Sequence, residues 1–191
     1  ALPPLYSGPY VLHTGGFDVR KNLPALLAGF ARAVPQLGAD WRLILMGAPH
    51  TENPVVFPSL LPEIERLGLS DRVILTGRVS EAEKHALYAH ASIGVSPSLD
   101  EGFGLPILEA MAHGVPVIAS NRTSHPEVAG DAAILIEPTA DAISEALVRL
   151  ATDSGIYSDL RSRGFERAAQ FPWSLTAELT VNSYRRALGL L

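Results

Sequence analysis

The sequence has 191 residues, of which 47% are hydrophobic and 18% charged, and its 15 Lys and Arg against 20 Asp and Glu give a net charge of −5. This composition excludes a disordered chain, and the negative charge argues against a nucleic-acid partner. The absence of cysteine excludes disulfides, thiolate zinc sites and cysteine nucleophiles. The length predicts a single domain over residues 1–191. Since no apolar run is long enough to span a bilayer, we expect this domain to be cytoplasmic, with peripheral attachment to the inner face of a membrane as an alternative.

Six short apolar runs predict the strands of this domain. Each is too short for a helix and too apolar for a loop, as is typical of strands buried in a parallel sheet. In chain order they are Tyr10–Thr14, Arg42–Met46, Val73–Leu75, Ile93–Ser96, Val117–Ser120 and Ala133–Ile136.

Amphipathic stretches between and after these runs predict the helices. In chain order they cover 23–34, 59–67, 81–89, 106–113, 140–152, 156–169 and 174–188. Ser80 and Glu83 form the signature of a capping box before the third helix. Alternation of strands with helices predicts an α/β fold: a Rossmann-like, doubly wound parallel sheet of about six strands with C-terminal helices. Ligands bind such a sheet at the carboxyl ends of its strands, so the loops there are the places to search.

The loop after the first strand combines two glycines with two cations. Gly15 and Gly16 allow a ligand to approach the backbone closely. Arg20 and Lys21 precede a helix start with Asn22 as the expected N-cap, and this arrangement suits an anion. The loop lacks the third glycine of a dinucleotide fingerprint and the Gly-Lys-Ser/Thr of a P-loop. The alternative is that both cations are solvated on a turn.

The loop after the fourth strand leads into a glycine-rich helix start. Gly102 and Gly104 flank this start, where free N–H groups and the positive end of the helix dipole favour an anion such as a diphosphate. Glu101 lies in the loop and Glu109 about one turn into the helix, so both carboxylates can border one cleft without touching. Because carboxylates accept hydrogen bonds from hydroxyl groups, a ligand with central phosphates and sugar hydroxyls at both ends would satisfy all these groups. The alternative is that both acids are merely solvated.

The segment from Glu101 to Glu109, Glu-Gly-Phe-Gly-Leu-Pro-Ile-Leu-Glu, resembles the E-x7-E signature of the retaining, nucleotide-sugar-dependent glycosyltransferases of family 4. The resemblance continues through residues 110–118, 120–122, 126–133 and 171–173, and it also covers residues 76–80 and the first loop. It spans nearly the whole chain, and agreement in this order is far more specific than any single motif. It implies the C-terminal, donor-binding domain of the two-domain architecture called GT-B.

The resemblance also implies which residues bind the donor. Arg20 and Lys21 would contact its pyrophosphate, aided by backbone N–H groups at the start of the fourth predicted helix. Val79 would lie against the nucleobase, Glu109 would take the ribose hydroxyls, and Glu101, as the catalytic residue, would meet the hydroxyls of the transferred sugar. The complete donor-binding set is Gly16, Arg20, Lys21, Val79, Glu101, Gly102, Phe103, Gly104, Leu105 and Glu109. One departure concerns the arginine, which many members place several residues before the lysine, where Phe17 stands here.

The implied activity of the intact enzyme is transfer of a hexosyl group, mannosyl or glucosyl in type, from a GDP- or UDP-sugar to an acceptor with retention of configuration. No cofactor or metal is obligatory, because cations and the helix end would stabilise the leaving diphosphate. The partner would be an N-terminal acceptor-binding domain absent from this sequence, and the acceptor would be a glycan or a lipid-linked saccharide. We therefore expect this domain alone to bind nucleotide or nucleotide sugar weakly and to transfer little or nothing.

Three other functions remain open. A non-catalytic nucleotide-sugar binding module would share every feature named above. A GT-B-like sugar-nucleotide epimerase is disfavoured by the E-x7-E spacing and the Phe-Gly-Leu-Pro helix start. A glycoside hydrolase that uses Glu101 and Glu109 as an acid/base pair would leave the basic glycine loop unexplained, although a carboxyl separation of about 5 to 5.5 Å would favour it.

Further expectations concern packing. In GT-B proteins the last helix commonly crosses onto the other domain, so some leucines near the C-terminus should form an exposed apolar patch: Leu175, Leu179, Leu188, Leu190 and Leu191. Trp41 and Trp173 are expected to be packing residues. The histidines show no metal-ligand spacing, and we expect them to be satisfied or solvent-facing: His13, His50, His85, His90, His113 and His125.

Overall fold

A computed structural model describes residues 6–48 and 53–190 and contains one sheet of six strands. All six predicted strands are present with the predicted bounds. They are β1 (Tyr10–Thr14), β2 (Arg42–Met46), β3 (Val73–Leu75), β4 (Ile93–Ser96), β5 (Val117–Ser120) and β6 (Ala133–Ile136). Short apolar runs thus fold as the strands of a doubly wound sheet, as their lengths and composition predict.

The strands run parallel in the order β3-β2-β1-β4-β5-β6. The first strand therefore lies at the centre, with Leu12 opposite Ile44 on one side and Gly94 on the other. Chain connections leave this centre in opposite directions, which makes the boundary between β1 and β4 the topological switch point. The two glycine-rich loops identified from the sequence follow these two strands.

Eight α-helices and a short 3-10 turn (Val19–Lys21) are found in the described residues. The helices are α1 (Leu23–Leu37), α2 (Leu61–Arg66), α3 (Glu81–His90), α4 (Leu105–Ala112), α5 (His125–Ala129), α6 (Ala140–Thr152), α7 (Ser154–Ala169) and α8 (Trp173–Ala187). The capping box before α3 is present. The sequence reading missed α5 and the 3-10 turn because elements of five and three residues are too short to show a full helical period.

Two apolar cores lie on opposite faces of the sheet because successive strand residues point to opposite sides. Val11 and Leu43 belong to the core that contains α1 and α6. Leu12 and Ile44 belong to the core that contains α3 and α4. Both faces of the sheet are therefore covered by helices, and ligand access is left to the strand ends.

The last helix is α8, and the structure exposes it along its whole length. The predicted apolar patch is present, with exposed fractions of 42% for Leu175, 57% for Leu179, 71% for Leu188 and 68% for Leu190. Leu191 lies outside the described residues.

The two tryptophans behave differently. Trp41 packs against the core of α1 and α6 as expected, but the packing prediction for Trp173 is wrong, because 74% of its surface is exposed. Trp173 opens α8, the helix that makes little contact with the rest of the chain.

Within the described residues, none of the helices combines the length and the apolar character needed to cross a membrane.

Candidate functional site

The two glycine-rich loops are joined to each other at the switch point. The N–H of Leu99, after β4, donates to the carbonyl of Arg20 at 2.7 Å. The side-chain amide of Asn22 donates to the carbonyls of Pro97 at 3.3 Å and Pro138 at 2.8 Å. Asn22 occupies the N-cap position of α1, as predicted, but its side chain makes no capping bond. Its side chain instead ties together the loops that follow β1, β4 and β6.

Lys21, predicted to bind the pyrophosphate, and Glu101, predicted to bind the transferred sugar, form an ion pair. Lys21 Nζ donates to Glu101 Oε1 at 2.5 Å, and each side chain is 15% exposed. Ser98 Oγ donates to the same oxygen at 2.9 Å. In the part of the chain that the structure describes, Glu101 Oε2 accepts no hydrogen bond. It is not among the buried atoms that lack a partner, so it keeps some exposed surface. One carboxylate oxygen is therefore held by the protein, while the other stays open to a ligand.

Arg20 lies apart from this pair. Its Nε donates to Asp18 Oδ1 at 2.7 Å, and 59% of its side chain is exposed. The same carboxylate oxygen accepts the backbone N–H of Arg20 at 3.2 Å and so caps the 3-10 turn. The structure thus separates the two adjacent cations, with Lys21 at the second loop and Arg20 at the surface.

The start of α4 presents free backbone donors next to the Lys21–Glu101 pair. Outside the regular elements, none of the backbone hydrogen bonds found among the described residues uses the N–H groups of residues 102–105 as donors. Gly104 is the N-cap in a left-handed conformation with φ of +98°. Glu101 is fixed from the α5 side, since its N–H donates to Thr123 Oγ1 and its carbonyl accepts from Ser124 Oγ, both at 3.1 Å. These free N–H groups, at the positive end of a helix, form a place for an anion.

Glu109 lies one turn further along α4 and contacts α3. Its Oε1 accepts from Lys84 Nζ at 3.0 Å and its Oε2 from the hydroxyl of Tyr88 at 2.9 Å. The side chain is 37% exposed. Val79, in the loop before α3, packs half-buried against the core of α3 and α4. Neither predicted acid is a simply solvated charge, because each is held by a lysine and a hydroxyl group.

An apolar cavity of about 440 Å³ opens between α4 and α8, bounded by three of the predicted donor-binding residues. Phe103, Leu105 and Glu109 line one wall, and Phe171 and Trp173 line another. The ring of Phe103 meets that of Phe171 edge to face, with 6.1 Å between centroids. The side chains of Phe103 and Leu105 thus face this cavity. Their backbone N–H groups belong to the free donors at the start of α4.

The family model for "Glycosyl transferases group 1" matches residues 8–153. The chain belongs to this family. It is 37% identical over 177 residues to O-antigen chain mannosyltransferase B of Escherichia coli, an alignment that covers 92% of this chain and 45% of that protein. It therefore spans less than half the length of that relative.

Solved structures give the same fold. Sucrose-phosphate synthase from Thermosynechococcus elongatus superposes with a TM-score of 0.84 at 30% identity, over 97% of this chain and 47% of that one. The C-terminal domain of a glycosyl transferase group 1 family protein from Francisella tularensis superposes with a TM-score of 0.74 at 24% identity, over 86% and 87% of the two chains. The six-stranded sheet with flanking helices is thus that of a GT-B glycosyltransferase domain.

Two buried histidines of this glycosyltransferase domain lie under the two loops. His125 is fully buried, with Nδ1 2.9 Å from Ser120 Oγ, and a Cβ added to Gly104 would lie 3.0 Å from its ring. His13 is 1% exposed, and its Nδ1 lies 3.0 Å from the carbonyl of Val95. Because a carbonyl only accepts, His13 Nδ1 carries the proton and Nε2 is left bare.

The expectation of a satisfied His13 is wrong, because Nε2 is buried and is the one such side-chain atom without a hydrogen-bond partner in the described residues. Burial lowers the pKa of His13 from its usual 6.5 to about 4. The ring is therefore neutral at pH 7, beneath a loop whose Lys21 is charged.

This pKa shift predicts acid sensitivity. The unfolded chain takes up a proton at His13 below about pH 6.5, whereas the folded chain does so only near pH 4. The stability that this group contributes is thus complete above pH 6.5 and is lost as the pH falls from 6.5 towards 4. Between pH 7 and pH 5, the unmodified chain should therefore lose about 2 kcal/mol more of its unfolding free energy than His13→Gln does. Urea unfolding of both chains at both pH values measures this, and equal losses in the two would contradict it.

The other histidines that the structure describes are near or at the surface. His85 Nδ1 lies 3.0 Å from His113 Nε2, and His113 Nδ1 donates to the carbonyl of Glu109 at 2.7 Å. His90 is exposed, and His50 lies outside the described residues. Among the described residues there is no group of three or more His, Asp or Glu side chains placed to hold a metal ion.

Three contacts of the candidate site could not be predicted from the sequence. They are the hydrogen bonds of Asn22 to the carbonyls of Pro97 and Pro138, the position of the His125 ring beside Gly104, and the hydrogen bond from Tyr88 to Glu109. Asn22 was visible only as a helix cap, and Tyr88 only as one position of an amphipathic helix. Their partners lie far along the chain, and no local signal in the sequence marks them.

Proposed function

We propose that this chain is the donor-binding half of a retaining hexosyltransferase and binds a nucleoside diphosphate sugar at the switch point between β1 and β4. The observation that carries this proposal is the Lys21–Glu101 ion pair beside the free N–H groups that begin α4. A cation and a helix N-terminus suit a diphosphate, and a carboxylate suits sugar hydroxyls. Few other ligands would use all three together.

The diphosphate would lie between Lys21 and the start of α4. An ammonium group has three N–H donors, so Lys21 can keep one bond to Glu101 and still donate to a phosphate oxygen. The backbone of Gly16 and that of residues 102–105 would contact the diphosphate closely from the first loop and from the start of α4. When the bond to the sugar breaks, charge grows on the diphosphate, and these fixed donors stabilise it without a metal ion. Arg20, bound to Asp18 at the surface, would contribute less.

The transferred sugar would meet Glu101. Oε1 is occupied by Lys21 and Ser98, so the open Oε2 is the atom that accepts from sugar hydroxyl groups. The ion pair keeps the carboxylate from repelling the neighbouring diphosphate. Glu101 would thereby orient the sugar at the carbon from which the diphosphate departs, which is the role we assign to it in catalysis.

The nucleoside would extend from the diphosphate towards α3. Glu109 would accept from the ribose hydroxyls, and Val79 would contact the nucleobase. The side-chain contacts of Val79 are apolar, and they carry no preference between guanine and uracil. The donor class that we propose, a GDP- or UDP-sugar, comes from the family resemblance, and Val79 does not choose between the two.

Transfer itself would require the other half of the enzyme. The chain covers 45% of the mannosyltransferase relative, and the exposed leucines of α8 are suited to packing against a further domain. We assign the acceptor, a glycan or a lipid-linked saccharide, to that N-terminal domain. Closure of the two domains would exclude water from the donor.

Calorimetry of this chain with GDP, UDP and ADP and with their hexose derivatives tests the proposal. We expect weak binding of GDP or UDP and of the corresponding sugar. Glu109→Gln should lower the affinity about tenfold, because it removes a carboxylate that accepts hydrogen bonds from hydroxyl groups. Glu63→Gln is the matched control, because Glu63 is an acid paired only with Arg66 on α2. No binding of any nucleotide, or equal losses in both variants, would contradict the site. Efficient sugar transfer by this chain alone would contradict the need for a second half.

A further inference from the structure

The hydroxyl group of Tyr88 lies at the centre of a buried hydrogen-bond relay. Tyr88 is on α3 and is 2% exposed. Its oxygen lies 2.6 Å from Thr14 Oγ1, at the end of β1, and 2.9 Å from Glu109 Oε2 on α4. One hydroxyl group thus connects the central strand of the sheet to an acid of the candidate site.

The direction of this relay follows from the groups involved. A carboxylate only accepts hydrogen bonds, and a tyrosine hydroxyl has a single hydrogen. Tyr88 therefore donates to Glu109, and Thr14 donates to Tyr88. Burial raises the pKa of Tyr88 above its usual value of 10, so the hydroxyl keeps its proton throughout the neutral range. The relay runs one way, from Thr14 through Tyr88 to Glu109.

The ring of Tyr88 is itself held in place. The imidazole of His113 stacks on it with 5.1 Å between centroids and 21° between planes. His113 is tied in turn to α4, since its Nδ1 donates to the carbonyl of Glu109 at 2.7 Å. The donor hydroxyl and the acceptor carboxylate are thus fixed relative to each other from two directions.

The relay also fixes how the Glu109 carboxylate is presented. Lys84 Nζ bonds to Oε1, and Tyr88 bonds to Oε2. Each oxygen has room for a further hydrogen bond, so the carboxylate offers two adjacent acceptors in one fixed plane. A pair of neighbouring hydroxyl groups, such as the 2′ and 3′ hydroxyls of ribose, matches that arrangement.

We propose that Tyr88 is a positioning residue that holds the Glu109 carboxylate ready for the ribose diol of the donor. This inference rests on the proposed function, which assigns Glu109 to the ribose. Tyr88 would not touch the ligand. It would act by keeping one oxygen of Glu109 turned to the diol, so its effect should be seen in how well the chain distinguishes ribose from deoxyribose.

The test measures the ratio of Kd values for 2′-deoxy and ordinary nucleotide, using UDP or GDP, whichever binds more tightly, and its 2′-deoxy analogue. In the unmodified chain we expect the ordinary nucleotide to bind about tenfold more tightly. Tyr88→Phe should reduce this preference roughly three- to tenfold, mainly by weakening the ordinary nucleotide. Tyr10→Phe is the matched control, since Tyr10 is also buried and donates to the carbonyl of Leu87 at 2.6 Å. Its hydroxyl contacts none of the predicted donor residues, so the ratio should stay within about twofold.

A second variant guards against a folding defect. Tyr88→Phe leaves the Thr14 hydroxyl without its partner, whereas Tyr88→Phe with Thr14→Val removes both groups and leaves no buried hydroxyl unpaired. The double variant should show the same reduced preference. An unchanged ratio in both Tyr88 variants, or an equal fall in Tyr10→Phe, would overturn the positioning role while leaving the donor site standing. A lack of preference in the unmodified chain would instead contradict the assignment of Glu109 to ribose, and this inference with it.

Discussion

Replacing Lys21 with methionine is expected to weaken the binding of a nucleoside diphosphate sugar by roughly tenfold to a hundredfold, the loss typical of a charged hydrogen bond. The change removes the cation nearest the start of α4. It also leaves Glu101, whose side chain is 15% exposed, as an unpaired negative charge where the diphosphate should lie. Both effects act against the same ligand, so this single substitution should have the largest effect on affinity.

Arg20→Met is the matched control for Lys21→Met. It removes an equal charge from the adjacent residue, whose side chain is 59% exposed and paired with Asp18. We expect affinity to fall less than about threefold, as for an exposed charge. Calorimetry with the same nucleotide sugar compares the two variants directly. Equal losses would contradict the separation of the two cations and would make Arg20 an equal ligand of the pyrophosphate.

A double variant separates the ligand contact from the unpaired acid. Lys21→Met leaves Glu101 without its cation and should lower the unfolding free energy by about 1–3 kcal/mol. Adding Glu101→Gln removes that charge, so stability should recover. Nucleotide affinity should not return to its original value, because the cation is still missing. Recovery of full affinity in the double variant would show that repulsion by Glu101 caused the loss and that Lys21 does not bind the diphosphate.

The sheet could be predicted from the sequence because each strand is marked by a local pattern of apolar residues. A run such as Val117–Ser120 is apolar throughout and only four residues long, which excludes a helix without knowledge of its neighbours. The same holds for the position of both glycine loops, since a loop after a strand in a parallel sheet must lie at the carboxyl edge. Element order therefore predicted which edge of the sheet to search, and the glycines and charged residues selected two of its loops.

The contacts inside the site depend on how distant elements pack. Lys21 and Glu101 are 80 residues apart, and nothing near either residue marks the other as its partner. The adjacent cations Arg20 and Lys21 look equivalent in the sequence. The 3-10 turn, capped by Asp18, places Arg20 at the surface and Lys21 beside the second loop. Buried polar groups such as His13 are equally hidden, since a histidine after an apolar run gives no sign of whether its ring has partners.

Gly104→Ala is expected to destabilise the domain by about 1–3 kcal/mol, because both the backbone conformation at Gly104 and a close neighbouring ring disfavour a side chain there. Its φ of +98° is unfavourable for any residue with a Cβ. An added Cβ would lie 3.0 Å from the ring of His125. That ring is fully buried and bonded to Ser120, so it cannot move aside without breaking its own contacts.

Gly102→Ala supplies the control on the same loop. A Cβ at Gly102 would meet nothing within 4 Å, and the residue is exposed, so the change should stay within about 0.5 kcal/mol. Urea unfolding measures both stabilities, and calorimetry at a temperature where both variants are folded measures nucleotide affinity. Because Gly104 sets the direction of the first N–H groups of α4, its alanine variant should also lose affinity, whereas Gly102→Ala leaves that direction unchanged and should lose less. A Gly104→Ala domain that is less stable but binds as before would show that the helix start does not hold the diphosphate.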